Sequence, residues 1–377
     1  MRFRYTEWDG SEFPTQDKLK LFDQIMDFVL SYGDEALQAL DQFEIDEDQQ
    51  KLLEQLIEEG LLEKIAGRWR LTPKAIHAIQ RKALMEVFRN LKPGYRGGHE
   101  TPRSGQAGER IEDTKPYQFG DPVSDIESGQ TLRNALHRTG TGLPIRVGES
   151  DFEVYKTQSL TSVSMVILLD MSGSMARYGR FFQAKKCAMA MHALLRQRFW
   201  MDTVDVVGFH STATVIPEHK LPLLMPKRVT IFDPQVRMRV PLSKAEQAPQ
   251  HFTNLHMGLM TARRILARRG GENRQIFIIT DGEPTAHLQG DYLYLLYPPD
   301  EASALATLKE AMLASKQGIR IATFALIDDY YFMDWVGFVN QLTKLTRGVG
   351  FYCASGDLGN CIMESYLAGK KTKTYIA

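Results

Sequence analysis

Two hydrophobic patterns divide the chain. Up to about residue 92, apolar positions recur at three- and four-residue spacing in LFDQIMDFVL, QKLLEQLIEEGLLEKI and AIHAIQRKALMEVF, which predicts amphipathic helices. From Ser164 onward, short apolar runs alternate with longer helical stretches. SMVILLD, VDVVGFH, ATVIP, RQIFIIT, IRIATFALI and GFYCA read as strands. RFFQAKKCAMAMHALLRQRF, NLHMGLMTARRILARR and DEASALATLKEAMLASKQG read as the helices between them. Strands apolar on both faces and linked by amphipathic helices predict an α/β fold with a mostly parallel, doubly wound sheet. Only Ser211 and Thr212 separate VDVVGFH from ATVIP. That link is too short for a parallel crossover, so one antiparallel edge strand is expected.

Within the helical part, EEGLLEKIAGRWRLTPKAI is the most specific stretch. Gly60 ends a helix, LLEKI and RWRL turn at Gly67, and Thr72–Pro73 suits the cap and first position of a new helix. Helix, small hairpin, helix resembles a winged-helix module, expected over residues 1–93. Its charge is polarised: the acidic half includes EIDED, and Lys64, Arg68, Arg70, Lys74, Arg81, Lys82, Arg89, Lys92 and Arg96 follow. The basic stretch makes a DNA-binding regulator the alternative function, although the acidic half opposes a phosphate backbone. Residues 94–150 are rich in Gly, Pro and charge with little periodicity, and read as a linker or strap containing at most a short helix in SDIESGQTLRNALHR. DFEVYKTQ then alternates as a strand and opens a second domain over 151–377.

Composition narrows the function classes. A chain of 377 residues is long for a single core. Formal net charge is zero, which argues against a surface built throughout for nucleic acid or anionic lipid. The three cysteines, Cys187, Cys353 and Cys361, form no CxxC pair, and their odd number fits reduced thiols. MRFRYTEWDGSEF lacks the apolar stretch of a signal sequence, and no apolar run reaches the length of a membrane span. A cytoplasmic address without membrane insertion is therefore the expectation.

The candidate chemistry lies where strands end. SMVILLD runs into Asp170, Ser172 and Ser174, RQIFIIT into Asp281 of TDGEPT, and HFTNL places Thr253 just before a helix. In an open α/β sheet, ligands gather at the carboxyl ends of the strands. Two carboxylates and three hydroxyls are hard oxygen donors suited to Mg²⁺ or Mn²⁺. A phosphate cradle is unsupported, because GxxxxGK[ST] is absent and converging aspartates would repel the anion. A nucleophile elbow is unsupported too, since Asp170 and Ser174 occupy its glycine positions. Simple capping by Asp170 and Ser172 explains DMSGSM alone but not the matching Thr253 and Asp281.

DMSGS, Thr253 in HFTNL and Asp281 in TDGEPT resemble, in order, the three loops of a metal-ion-dependent adhesion site. From about Ser164 to Tyr366 the chain looks like a von Willebrand factor A domain, although Phe252 stands where that family commonly has a small residue. The resemblance implies direct metal binding by Ser172, Ser174 and Thr253, with Asp170 and Asp281 acting through water or at longer range. It also implies recognition rather than catalysis, a carboxylate from a partner completing the metal shell. With its N-terminal module, YQFGDP strap, DMSGSM and TDGEPTAH, the whole chain resembles bacterial partners of MoxR-type AAA+ ATPases. That resemblance implies an adaptor or co-chaperone acting on a protein client.

Two insertions flank the site. AHLQGDYLYLLYPP is a long connection whose Tyr292, Tyr294 and Tyr297 are candidates for partner contact or for packing beneath the loop. Residues 217–250 form the other, where KRVTIFDPQVRMRVPL reads as a hairpin. His251, His256 and His287 lie near the metal loops but lack the ligand spacing of a zinc site.

Overall fold

The computed structural model describes residues 26–39, 54, 56–87, 99–100, 109–119, 121, 123–158, 160–199, 202–269, 273–327 and 334–368. The start of the helical stretch expected from residue 17, the acidic run EIDED, and Arg89, Lys92 and Arg96 lie outside them.

In the N-terminal part, residues 26–32 are helical and α1 spans Asp34–Ala39. Gly33 separates them at φ 59°, and a Cβ there would meet the Leu223 carbonyl oxygen at 2.5 Å. Only glycine combines that left-handed backbone with so close an approach. A hairpin follows, β1 (Leu62–Ile65) paired antiparallel with β2 (Arg68–Leu71), turning through Gly67. Pro73 opens α2 (Pro73–Val87) behind Thr72, whose hydroxyl accepts from Ala75 N. The expected helix, hairpin, helix order is present. The face of α2 bearing Ala75, Ile76, Ile79 and Ala83 is buried, in one continuous apolar core with Phe181, Ala184 and Ala188 of the C-terminal domain.

Residues 94–150, read as a linker or strap, carry regular structure in their described part. After β3 (His99–Glu100), β4 (Glu109–Pro116) pairs antiparallel with β5 (Glu153–Gln158), with α3 (Ser128–Thr139) between them. Asp151 joins the pieces. It accepts from Arg138 Nε at 2.9 Å and Nη2 at 2.6 Å, and from Gly148 N at 2.7 Å. The Arg138 guanidinium and the Gly148 amide together hold its carboxyl down at about 2. A two-residue strand, β6 (Leu160–Thr161), pairs with β3.

The C-terminal domain runs β7 (Val163–Asp170), α4 (Arg180–Arg198), β8 (Thr203–Phe209), β9 (Ala213–Ile216), β10 (Val236–Pro241), α5 (Leu255–Arg269), β11 (Asn273–Thr280), β12 (Ala286–Gln289), β13 (Tyr292–Tyr297), α6 (Glu301–Lys316), β14 (Ile319–Leu326), α7 (Asp334–Thr346), β15 (Val349–Cys353) and α8 (Leu358–Ala368). The main sheet has the order β15-β14-β11-β7-β8-β9, parallel except for β9. Every residue of β7 is buried, and alternation sends its side chains to opposite faces. Met165, Ile167 and Leu169 join Phe277, Phe324 and the α4 side. Val166 and Leu168 join Ile276, Ile278 and the side formed by α5, α6 and α7. A doubly wound sheet with one antiparallel edge is the observed architecture.

The flanking insertions depart from expectation. β12 and β13 form a hairpin, and β13 also pairs antiparallel with β10 to make a second, three-stranded sheet. AHLQGDYLYLLYPP is therefore two strands and not a plain connection. KRVTIFDPQVRMRVPL supplies the single strand β10 and not a hairpin of its own. The reason is tertiary: the apolar positions of β10 find their partner in β13 across the covering sheet.

Candidate metal site

Parallel pairing of β7 with β11 sets Leu169 beside Ile279, so both strands release their polar ends at the same edge. Thr280, the last residue of β11, donates to Asp170 Oδ2 at 2.6 Å. Asp170 Oδ1 accepts from Ser172 N at 2.8 Å, which folds the chain back into a short 3₁₀ turn over Gly173–Ala176. Ser172 Oγ and Ser174 Oγ lie 3.1 Å apart, and Ser174 Oγ donates to Asp281 Oδ1 at 2.8 Å. Asp170, Ser172, Ser174 and Asp281 thus form one hydrogen-bonded set. Asp170 and Ser172 are buried, whereas Ser174 faces solvent.

Thr253 belongs to a third loop tied to the first through its neighbours. Gly173 N donates to His251 O at 3.0 Å. A Cβ on Gly173 would lie 2.5 Å from Val229 Cγ2 and 3.3 Å from His251 Cβ, so any larger residue at this crossing would have to displace Val229. Thr253 N is held by Thr285 Oγ1 at 2.8 Å, and Thr253 O accepts from Thr285 N and Ala286 N. Asn254 caps α5 by accepting from Met257 N at 3.0 Å. The Thr253 hydroxyl makes none of these bonds.

Phe252 has a clear physical role. It is buried with Val236, Ala245, Ala286, Leu293 and Leu295 in the small core beneath the three-stranded sheet. A large residue precedes Thr253 here because an added sheet covers this flank of the site.

The electrostatics suit a cation. Burial, and then the charge of Asp281, push the Asp170 carboxyl well above the ordinary carboxylate range. Burial also raises Asp281, opposed by hydrogen bonds from Ser174 and by Arg180. Two carboxylates sharing a dry site favour any positive charge placed between them. Hydroxyls make up most of the donors, and no thiolate is among them, which fits a hard divalent ion. Among the described residues, no group of three or more His, Cys, Asp or Glu could hold a metal, so such an ion would depend on the serines and the threonine.

Residues 163–367 match the family described as "Rv0959-like protein, vWA domain", and residues 109–157 match "Rv0959-like protein, third domain". The chain belongs to the Rv0959-like vWA family. Over 320 residues it is 30% identical to "Uncharacterized protein Rv0959" of Mycobacterium tuberculosis and, equally, to "Uncharacterized protein Mb0984" of Mycobacterium bovis. Each alignment covers 83% of this chain and 44% of the relative, so the chain spans less than half the length of the curated relatives it matches. Among solved structures, the vWF domain of the type V pili tip protein Mfa5 from Porphyromonas gingivalis is similar. Its TM-score is 0.37 at 14% identity, covering 57% of this chain and 98% of that one.

The tyrosines of this Rv0959-like chain sit on β13, one strand inside the covering sheet. Tyr294 stacks on His287 at 5.1 Å, and the Arg239 guanidinium lies 3.6 Å from the Tyr292 ring centroid. Tyr292 and Tyr297 remain partly exposed, but the neighbours of Tyr294 are those of a packed satellite layer. The three histidines go separate ways. His251 stacks on Phe252, His256 Nδ1 accepts from Leu288 N, and His287 Nδ1 lies 2.9 Å from Ser303 Oγ.

The basic stretch is partly spent within its own module. Lys74 Nζ donates to Glu59 O at 2.6 Å, Lys82 pairs with Asp27 and Glu86, and Lys64 lies over the Trp69 ring.

Two side chains bonded to the candidate carboxylates escaped the sequence reading. Thr280 was legible as the residue just before Asp281. Arg180, whose Nη1 donates to Asp281 Oδ2 at 2.9 Å, carried no motif signal.

Proposed function

We propose that this protein is a divalent-metal-dependent protein-binding adaptor or co-chaperone that works with a MoxR-type AAA+ ATPase on a protein client. The observation that carries the reading is the convergence of Asp170, Ser172, Ser174 and Asp281 into one hydrogen-bonded set from segments more than a hundred residues apart. Ser172, Ser174 and Thr253 would hold Mg²⁺ or Mn²⁺ directly, and Asp170 and Asp281 would act at longer range. When bound, such an ion supplies a positive centre on which a partner's carboxylate can end. The chain's own residues then have simple tasks. Asp170 orients the Ser172 backbone, Thr280 orients Asp170, and Asp281 holds the Ser174 hydroxyl beside that of Ser172.

On this reading the protein acts in the cytoplasm and recognises its partner without turning it over. No helix among the described residues is long and apolar enough to cross a membrane. The test is capture of a MoxR-type ATPase on the immobilised chain, in Mg²⁺ and in EDTA, beside Asp170→Ala. Capture lost in both EDTA and the variant is the expected result. Capture indifferent to both would sink the metal-dependent reading.

A further inference from the structure

Asp281 divides its two oxygens. Oδ1 accepts from Ser174 Oγ at 2.8 Å and so faces the hydroxyl donors, whereas Oδ2 accepts from Arg180 Nη1 at 2.9 Å. The side chains of Arg180 and Asp281 are 10% and 0% exposed, so the pair is dry and little screened by salt. Because the guanidinium binds the far oxygen, it neutralises Asp281 without covering the face turned toward Ser174.

Arg180 also meets an aromatic ring. The Tyr178 ring centroid lies 5.0 Å from the guanidinium carbon. Tyr178 has φ 56°, a left-handed conformation that a bulky residue seldom takes. Strain of this kind persists where the surroundings impose it, and it gathers at functional sites. Here it accompanies an aromatic face laid over the guanidinium that reaches Asp281, a favourable contact for a desolvated cation.

Charge arithmetic gives the consequence. Asp170 and Asp281 carry two formal negative charges, enough to balance a divalent cation, but Arg180 has already taken one. Resting on the metal reading above, we infer that Arg180 is the residue that sets the metal affinity of this site. Its permanent charge weakens the hold on a divalent cation. The loaded site keeps one excess positive charge, which a single carboxylate from the partner cancels. A guanidinium does not lose its proton in a folded protein, so the charge of Arg180 itself is the same at every working pH.

Titration of Mn²⁺ alone into the full chain, followed by the paramagnetic resonance signal of the free ion, tests this. Arg180→Met is expected to bind Mn²⁺ about tenfold tighter than the parent, and Arg180→Lys, which keeps the charge, to stay within about threefold of it. A folded Arg180→Met chain that binds Mn²⁺ no tighter than the parent overturns the inference and leaves the metal reading standing. Binding gained by Arg180→Met where the parent binds none supports the inference and removes the metal from the parent's function. No binding by any of the chains overturns both. If Arg180→Met does not fold, Arg180→Gln, which keeps a hydrogen-bond donor and loses the charge, carries the same expectation.

Discussion

Arg180 and Lys185 lie five residues apart on the same helix, α4, within RFFQAKK, and both are buried. Their surroundings are opposite. Arg180 meets a carboxylate, Asp281. Lys185 meets carbonyl oxygens, those of Leu30 at 2.5 Å, Leu224 at 2.9 Å and Pro222 at 3.0 Å, with the Phe181 ring 5.7 Å away. Three carbonyls match the three donors of an ammonium in number, yet dipoles offset desolvation less well than a full counter-charge. Burial accordingly pushes Lys185 down to about 7. The comparison separates two uses of a buried cation. Arg180 places a fixed charge against a functional carboxylate. Lys185 is a latch, because its carbonyls come from the N-terminal module and from the insertion at 217–250, which α4 thereby joins.

The largest effect is expected at the latch. Lys185→Ala leaves a cavity and three carbonyls without their donor, and should lower unfolding stability by about 3–5 kcal/mol in urea melts. A loss under about 1 kcal/mol would show that the interface does not rest on this cage. The latch should also respond to pH. The unfolded lysine titrates near 10.5 and the folded one near 7, so between these values the unfolded chain holds a proton that the folded chain lacks. Stability of the parent relative to Lys185→Met should therefore rise as pH is raised from 7 toward 10, and level off below 7. Melts that stay parallel across that range would mean that the ammonium keeps its proton inside the cage.

At the site end, Arg180→Met strands Asp281 and is expected to cost about 2–4 kcal/mol without metal. Here the two cations should part company. Millimolar Mn²⁺, by binding only the folded state, is expected to stabilise Arg180→Met by about 1.4 kcal/mol more than Lys185→Ala, whose site keeps the parent's affinity. Thermal melts with and without Mn²⁺ decide it, and equal recovery of both variants would erase the distinction drawn between them.

The smallest effect belongs to a third pair, Arg138 with Asp151, on the half-exposed edge of the strand–helix–strand unit. The Asp151 carboxyl titrates near 2 when folded, against an ordinary value of 3.8. Its contribution is present above about pH 4 and lost as pH falls from 4 toward 2. Asp151→Asn should flatten that part of the acid melt. An unchanged acid transition would assign the acid sensitivity to other carboxylates.

How much of this was legible beforehand depends on how far apart the interacting residues lie in the chain. The six strands of the main sheet and the three helices read between them appear within a residue or two of their expected places, because each is declared by its own periodicity. The antiparallel edge followed from a two-residue link, again a local fact. Asp170, Ser172 and Ser174 were legible because a strand end and a tight turn are encoded by adjacent residues. The covering sheet was not, since nothing in KRVTIFDPQVRMRVPL reveals that β10 will pair with β13. Nor could the sequence place Phe252 under that sheet, or Tyr294 against His287.

What the sequence alone determined is therefore the doubly wound fold and the order of the oxygen-bearing loops, both written in local patterns of apolar and polar residues. Tertiary structure decided which charges meet. Arg180 reaches Asp281 across 101 positions, and Lys185 reaches Leu30 across 155. Such contacts leave no periodic trace in the chain, because desolvation and pairing act only after distant segments have packed together.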